Sequence, residues 1–214
     1  VNSATIAWDE IFNPKRADKN GLVAVGGEWG FEILIEAYSR GCFPWPEQGL
    51  PILWFSPLQR GIVEFSEVRI NRSLKRLLSS HKWKITFNQA FSAVMQGCAE
   101  AIRPGQSGTW ILPEMIKPYT ELFYAGHGLS CEIWHENGDL VGGLYGVLSE
   151  RYFSAESMFY KESGASKVAF IETIRYLKRE KGFHWMDIQM LTSVTESLGG
   201  KLISQNEFLQ RISR

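Results

Sequence analysis

The spacing of turn residues changes near residue 60, and that change constrains the fold more than any single motif. Before it, Asn13-Pro14, Asn20-Gly21, Gly26-Gly27, Gly41, Pro44, Pro46, Gly49, Pro51 and Pro57 interrupt the chain too often for long elements. One helix fits between them, Phe31 to Arg40, where Phe31, Leu34, Ile35 and Tyr38 recur at helical spacing and Gly41 stops the run. Residues 1–60 are therefore expected to form a small, loop-rich amino-terminal domain, and 61–214 a second domain of regular structure.

In that second part Gly61 to Val68 alternates as a strand, Asn71 caps a short basic helix, and Trp83 to Phe87 alternates again. Asn88 is expected to open a helix with Phe91, Val94, Met95 and Cys98 on its apolar face, and Pro113 to open another reaching about Ala125. Strands Leu129 to His135 and Leu140 to Leu148 flank Asn137-Gly138, the strongest short hairpin signal, and a third runs from Arg151 to Glu156. A helix from Ser166 to Lys181, a strand from Phe183 to Gln189 and a helix from Asn206 to Ile212 complete the chain. A meander of strands, a long helix and a further strand make an α+β fold, compatible with the acyltransferase sheet known as the GNAT fold.

No apolar run approaches the roughly 18 residues of a membrane span, so no membrane partner is expected. Three cysteines without CxxC spacing suit a reducing compartment, and the first twenty residues carry acids and no apolar stretch like that of a secretory signal. A cytoplasmic monomer is expected. The 23 basic and 23 acidic residues cancel, which by itself argues against a nucleic-acid partner. Their distribution argues the other way. Between Glu67 and Glu100 there is no acid, only Arg69, Arg72, Lys75, Arg76, Lys82 and Lys84, so 17 cations face 23 acids elsewhere. Arg72, Lys75 and Arg76 share one helix face, either as a solvated surface or as a track for a phosphate backbone.

Period two in Trp185 to Met190 sets Asp187 and Gln189 on one strand face and Met186, Ile188 and Met190 on the other. The pair is either solvent-facing or projects together from a late strand into a site. Glu156 sits in FSAESMF, too apolar a setting for a casual surface carboxylate, so it is either paired with a cation or held in a pocket. His81, His127, His135 and His184 have no metal-ligand spacing. No GxxxxGK[ST] or GxGxxG loop is present, and Arg179 to His184 does not make the pyrophosphate loop of a CoA enzyme. The eight tryptophans read mainly as core, although a loop Trp beside a basic groove can stack a base.

Several strings in order resemble the leucyl/phenylalanyl-tRNA–protein transferase family: GLVAVGG from Gly21, YSRGCFPW from Tyr38, PILWFSPLQRG from Pro51, INRSLKR from Ile70, GTWI from Gly108, EIW from Glu132, LVGGLYGV from Leu140, AESMF from Ala155, ASK from Ala165, and DIQ from Asp187 with SLGG from Ser197. The resemblance covers about residues 20 to 200. It implies a GNAT-like domain behind a small amino-terminal one, with no metal and no cofactor. By the same resemblance, Asp187 and Gln189 match the motif that activates the acceptor amine, and Glu156 matches a pocket glutamate. Trp45, Trp110 and Leu144 match the lining of the aminoacyl-adenosine site, and Arg72, Lys75 and Arg76 match a tRNA-holding helix. Thr192, Val194 and Ile203-Ser204-Gln205 depart from the family pattern and bear on substrate preference more than on reaction type.

The implied reaction moves Leu or Phe, with Met a further candidate, from aminoacyl-tRNA to the N-terminal Arg or Lys of an acceptor protein, marking it for degradation. The alternatives are a non-catalytic RNA-binding module and an acyltransferase with a different donor.

Overall fold

The computed structural model describes residues 7–101 and 109–213. Residues 1–6 of the amino-terminal stretch and Gly108 of the GTWI string lie outside the described residues. The first sixty residues carry α1 (Trp8–Ile11), β1 (Leu22–Val25), α2 (Phe31–Ser39), β2 (Phe43–Pro44) and β3 (Leu53–Phe55). The three strands pair antiparallel in the order β1-β3-β2, a sheet whose strands are too short to show in the sequence pattern.

The remainder comprises β4 (Gln59–Glu64), α3 (Arg72–Ser79), β5 (Lys84–Phe87), α4 (Phe91–Glu100), α5 (Pro113–Leu122), β6 (Gly128–Trp134), β7 (Leu140–Leu148), β8 (Phe153–Tyr160), α6 (Ala165–Tyr176), β9 (Trp185–Gln189), α7 (Ser193–Ser197), β10 (Lys201–Ser204) and α8 (Gln205–Ser213). This is the α+β arrangement that the pattern predicts. Asn71 caps α3 as its spacing requires, its side chain accepting from the Leu74 N–H at 2.9 Å. Asn88 does something else. It adopts φ 59°, which Asn tolerates better than most residues, and its Oδ1 takes the Ser130 N–H at 3.0 Å, so α4 begins only at Phe91.

Seven strands form the main sheet in the order β10-β4-β9-β8-β7-β6-β5. All neighbours are antiparallel except β8 and β9, joined through the α6 crossover that a parallel pair needs. The side chains of β7 alternate between two cores: Tyr145 and Val147 pack with Tyr38, Phe91, Met115 and Tyr119 from α2, α4 and α5, and Leu144 packs with Leu74, Phe153 and Phe170 on the α3 and α6 side. A third cluster of Ile62, Tyr152, Ile203, Phe208 and Ile212 seats α8 at the other end of the sheet. Burying side chains of this size contributes roughly 1.5–3 kcal/mol each.

Candidate active site

β8 and β9 pair where Ser154 stands opposite Asp187. Two residues further along each strand, side chains replace the backbone ladder: Gln189 Nε2 donates to Glu156 Oε1 at 2.7 Å. Both strands are irregular here. In the β7–β8 register Tyr145 pairs with Ser157 and Gly146 with Ala155, which leaves Glu156 as the extra residue of a bulge. In the β4–β9 register Gly61 faces Gln189 and Ile62 faces Asp187, so Ile188 is extra, and Gln189 takes φ 58°. The period-two reading holds for Asp187 and Gln189, but the kink after them leaves Met190 exposed instead of in the core.

Asp187 is 0% exposed and Gln189 3%, so they are not a solvent-facing pair. Every lone-pair position of the Asp187 carboxylate is occupied. Oδ1 accepts from Arg60 Nε at 2.8 Å and the Gln189 N–H at 2.9 Å, and Oδ2 accepts from Arg60 Nη2 at 2.7 Å and Ser154 Oγ at 2.8 Å. Arg60 is equally buried, gives Nη1 to the Gly41 carbonyl at 3.2 Å, and lies between the rings of Phe43 and Phe208, 4.5 and 4.4 Å from their centroids. Burial opposes its charge, but the Asp187 carboxylate outweighs burial and raises its pKa.

Glu156 has no ion-pair partner among the described residues; its neighbours are an amide and hydroxyls. Burial pushes its carboxyl up to about 7, against the hydrogen-bonding influence of Tyr38, Gln189 and Ser154, and the nearby Asp187 charge adds to the rise. Oε2 is buried and accepts no hydrogen bond of ordinary geometry. Beside it stands Tyr38, whose hydroxyl is 2.8 Å from that of Tyr119. The result is a hydrogen-bonded run from Glu156 through Gln189 and Asp187 to Arg60, with the Tyr38–Tyr119 pair alongside it, inside an apolar core.

Trp45 and Trp110 stack on each other, with centroids 5.2 Å apart and planes at 13°, and both are half-buried against the cluster that contains Tyr38 and Tyr119. Leu144 is not brought to them. It is 2% exposed on the other face of the sheet, beneath α6. Arg72, Lys75 and Arg76 are exposed on α3 and form no ion pair among the described residues, while Leu74 on the opposite side of the helix packs into the α6 core. Arg60, Tyr38, Tyr119 and Ser154 were not singled out by the sequence; for Arg60 the available signal is a lone cation heading the apolar run Gly61-Ile62-Val63. Among the described residues no cluster of His, Cys, Asp or Glu is arranged to hold a metal ion, and no helix is long and apolar enough to cross a membrane.

The profile of the family described as leucyl/phenylalanyl-tRNA protein transferase matches residues 62–213, and that of its N-terminal domain matches 31–58. A protein of Maridesulfovibrio salexigens with that name is 43% identical over 205 residues, covering 95% of this chain and 85% of the relative. One from Flavobacterium psychrophilum is 42% identical over 202 residues, covering 94% and 95%. One from Azotobacter vinelandii is 46% identical over 189 residues, covering 88% and 82%. Among solved structures, a GCN5-related N-acetyltransferase-like protein from Streptococcus suis aligns over 68% of this chain and 59% of its own at 17% identity, with a TM-score of 0.38. With a matching profile over most of its length and relatives of this identity spanning nearly all of it, the chain belongs to the leucyl/phenylalanyl-tRNA–protein transferase family.

Proposed function

We propose that this protein catalyses peptide-bond formation between the Leu or Phe of an aminoacyl-tRNA and the N-terminal Arg or Lys of an acceptor protein, marking the acceptor for degradation and acting as a monomer in the cytoplasm. The observation that carries the reading is the 2.7 Å hydrogen bond from Gln189 Nε2 to Glu156 Oε1, which fixes an amide and a carboxylate side by side. In the proposed reaction the acceptor's amine nitrogen attacks the ester carbonyl, the C–N bond forms, the bond to the tRNA 3′-oxygen breaks, and that oxygen leaves with the proton the amine gives up.

An aminoacyl ester is already activated, and an α-amine with a pKa of about 7.7–8.0 is partly free base near neutrality, so a strong base is unnecessary. Gln189 Oε1 accepts no hydrogen bond among the described residues and is suited to receive one from the attacking amine. Asp187, with all four acceptor positions taken, serves as a positioning residue that holds the Gln189 backbone and Arg60 in place. The buried, unfilled Oε2 of Glu156 suits a substrate ammonium, whose charge would offset the cost of ionising the carboxyl there. Trp45 and Trp110 offer aromatic faces to the terminal adenosine, and Arg72, Lys75 and Arg76 hold tRNA phosphates. Most of the acceleration would come from holding amine and ester in register.

The test supplies labelled Leu-, Phe- and Met-tRNA together with peptides beginning Arg, Lys or Ala. Label entering only the Arg and Lys peptides is the expected result. RNA binding indifferent to aminoacylation, with no labelled peptide, would leave a non-catalytic RNA-binding module instead.

A further inference from the structure

The ladder between β8 and β9 stops early. Ser154 pairs with Asp187, β9 ends two residues later at Gln189, and β8 runs on to Tyr160. Which β8 backbone groups this leaves open follows from the alternation of an antiparallel pair. The Lys161 N–H reaches across to the Val141 carbonyl at 2.7 Å, and Phe159 and Ser157, two and four residues earlier, face Gly143 and Tyr145 in the same phase. Met158 and Tyr160 lie in the other phase, so their N–H and C=O groups point away from β7, into the lane beyond Gln189, and have no backbone partner among the described residues. The residues after Gln189 turn away from that lane. Past the φ 58° kink the chain crosses to the β4 side of β9, where a Cβ on Gly61 would stand 2.9 Å from the Met190 carbonyl carbon and 3.1 Å from the Leu191 nitrogen. Met158 is half-buried and Tyr160 is 60% exposed, so the edge is reachable. A strand edge with unpaired amides is a template for another extended chain.

We propose that this open edge of β8 docks the acceptor protein: its first three residues add to residues 158–160 as a short strand parallel to β8, in the place where β9 would have continued, with the amine at Gln189 and Glu156. This rests on the aminoacyl-transfer reading. The open edge begins two residues beyond Glu156, so a chain whose amine lies at Glu156 must run outward, in the direction of β8 itself. The slanted bonds of a parallel pair then fix the partners. Acceptor residue 1, level with Ser157, takes the Met158 N–H on its carbonyl. Residue 3, level with Phe159, gives its N–H to the Met158 carbonyl and takes the Tyr160 N–H, while the N–H of residue 2 points away from β8. Main-chain bonds of this kind do not read side chains. The edge therefore holds an acceptor whatever follows its first residue, as an enzyme acting on many proteins alike only in their N-terminal residue requires.

The experiment measures kcat/KM for transfer from Phe-tRNA to an Arg-start alanine peptide and to versions N-methylated at residue 2 or at residue 3. Methylation at residue 3 should lower kcat/KM about tenfold or more, and methylation at residue 2 should leave it within about twofold. Equal values for the two methylated peptides overturn the proposal. On the enzyme, Tyr160→Pro deletes an N–H that points away from β7 and so spares that ladder. It should raise KM for the peptide about tenfold with KM for Phe-tRNA unchanged. A rise in KM for tRNA with that for the peptide unmoved would assign the edge to the donor and overturn the proposal. If Tyr160→Pro does not fold, the methylated peptides decide on the wild-type enzyme. No product from the unmodified peptide removes the transfer reading and this proposal together, whereas product formed equally well from all three peptides removes this proposal alone.

Discussion

Arg60 and Asp187, 127 positions apart in the chain, meet as a fork on a carboxylate with both side chains essentially sealed from solvent: 1% and 0% exposed. Through Gly41, Phe43 and Phe208 the same guanidinium ties the turn after α2 and the helix α8 to the strand that carries Gln189. A bidentate pair of this kind fixes orientation as well as distance.

Replacing Arg60 alone by Met should therefore destabilise the protein by about 3–5 kcal/mol, because the Asp187 charge stays buried without a partner. Removing both charges together, Arg60→Met with Asp187→Leu, should recover a large part of that loss. Urea denaturation of the two single variants and the double variant forms the cycle. Losses of the two single variants that simply add in the double variant would show that the pair is not coupled as drawn. Arg60→Lys keeps the charge but not the fork, and should retain more stability than transfer activity.

Glu156 imposes a pH dependence on stability whose sign follows from its raised pKa. Below about 4.5 its carboxyl is protonated in both folded and unfolded chains, and burying it costs no charge. Between that value and about 7 the folded protein keeps a proton that the unfolded chain has released, so this contribution to stability falls as pH rises and levels off above about 7. The full loss is on the order of 3 kcal/mol. Glu156→Gln should abolish this slope, giving a urea midpoint above wild type at pH 8 and close to it at pH 4.5. Parallel pH profiles for the two proteins would show that Glu156 ionises without strain.

Arg72, Lys75 and Arg76 predict the opposite balance of effects. They are exposed and unpaired among the described residues, so replacing all three by Ala should change stability little, within about 0.5 kcal/mol for each surface position. Binding of tRNA should weaken, and the slope of log affinity against log salt should flatten by roughly 0.7–0.9 for each phosphate no longer neutralised. Filter binding across a salt series reads both quantities. An unchanged slope would remove α3 from the tRNA surface.

The parts of the fold legible in the sequence are those decided locally. The α2 periodicity, the Asn71 cap and the Asn137-Gly138 hairpin each depend on residues within a few positions of one another, and all three appear in the structure. Asp187 and Gln189 were legible as neighbours on one strand face, and Glu156 as a carboxylate in an apolar run. What joins them was not legible. A bulge at Glu156 exists only relative to the register of β7, and the Tyr38–Tyr119 hydrogen bond spans 81 positions, so neither leaves a periodic trace. The burial of Asp187 depends on Arg60, whose own strand reads as ordinary alternation.

The bulge yields the last prediction, because one glycine makes it sterically possible. Gly146 lies opposite Ala155, immediately before the register skips Glu156, and a Cβ there would stand 2.1 Å from the Ser154 carbonyl oxygen and 2.5 Å from Phe153 Cζ. Backbone cannot yield as a flexible side chain does, so Gly146→Ala must push β8 away from β7 at the residue that presents Glu156. Overpacking of this kind costs about 1–3 kcal/mol, and the displaced strand also carries Ser154, which holds Asp187. The expected outcome is a lowered melting temperature together with a fall in kcat larger than any change in KM for tRNA, since Arg72, Lys75 and Arg76 project from the exposed face of α3 and not from the displaced strand. Wild-type kcat in a folded Gly146→Ala protein would mean that the placement of Glu156 at the bulge does not matter to the reaction.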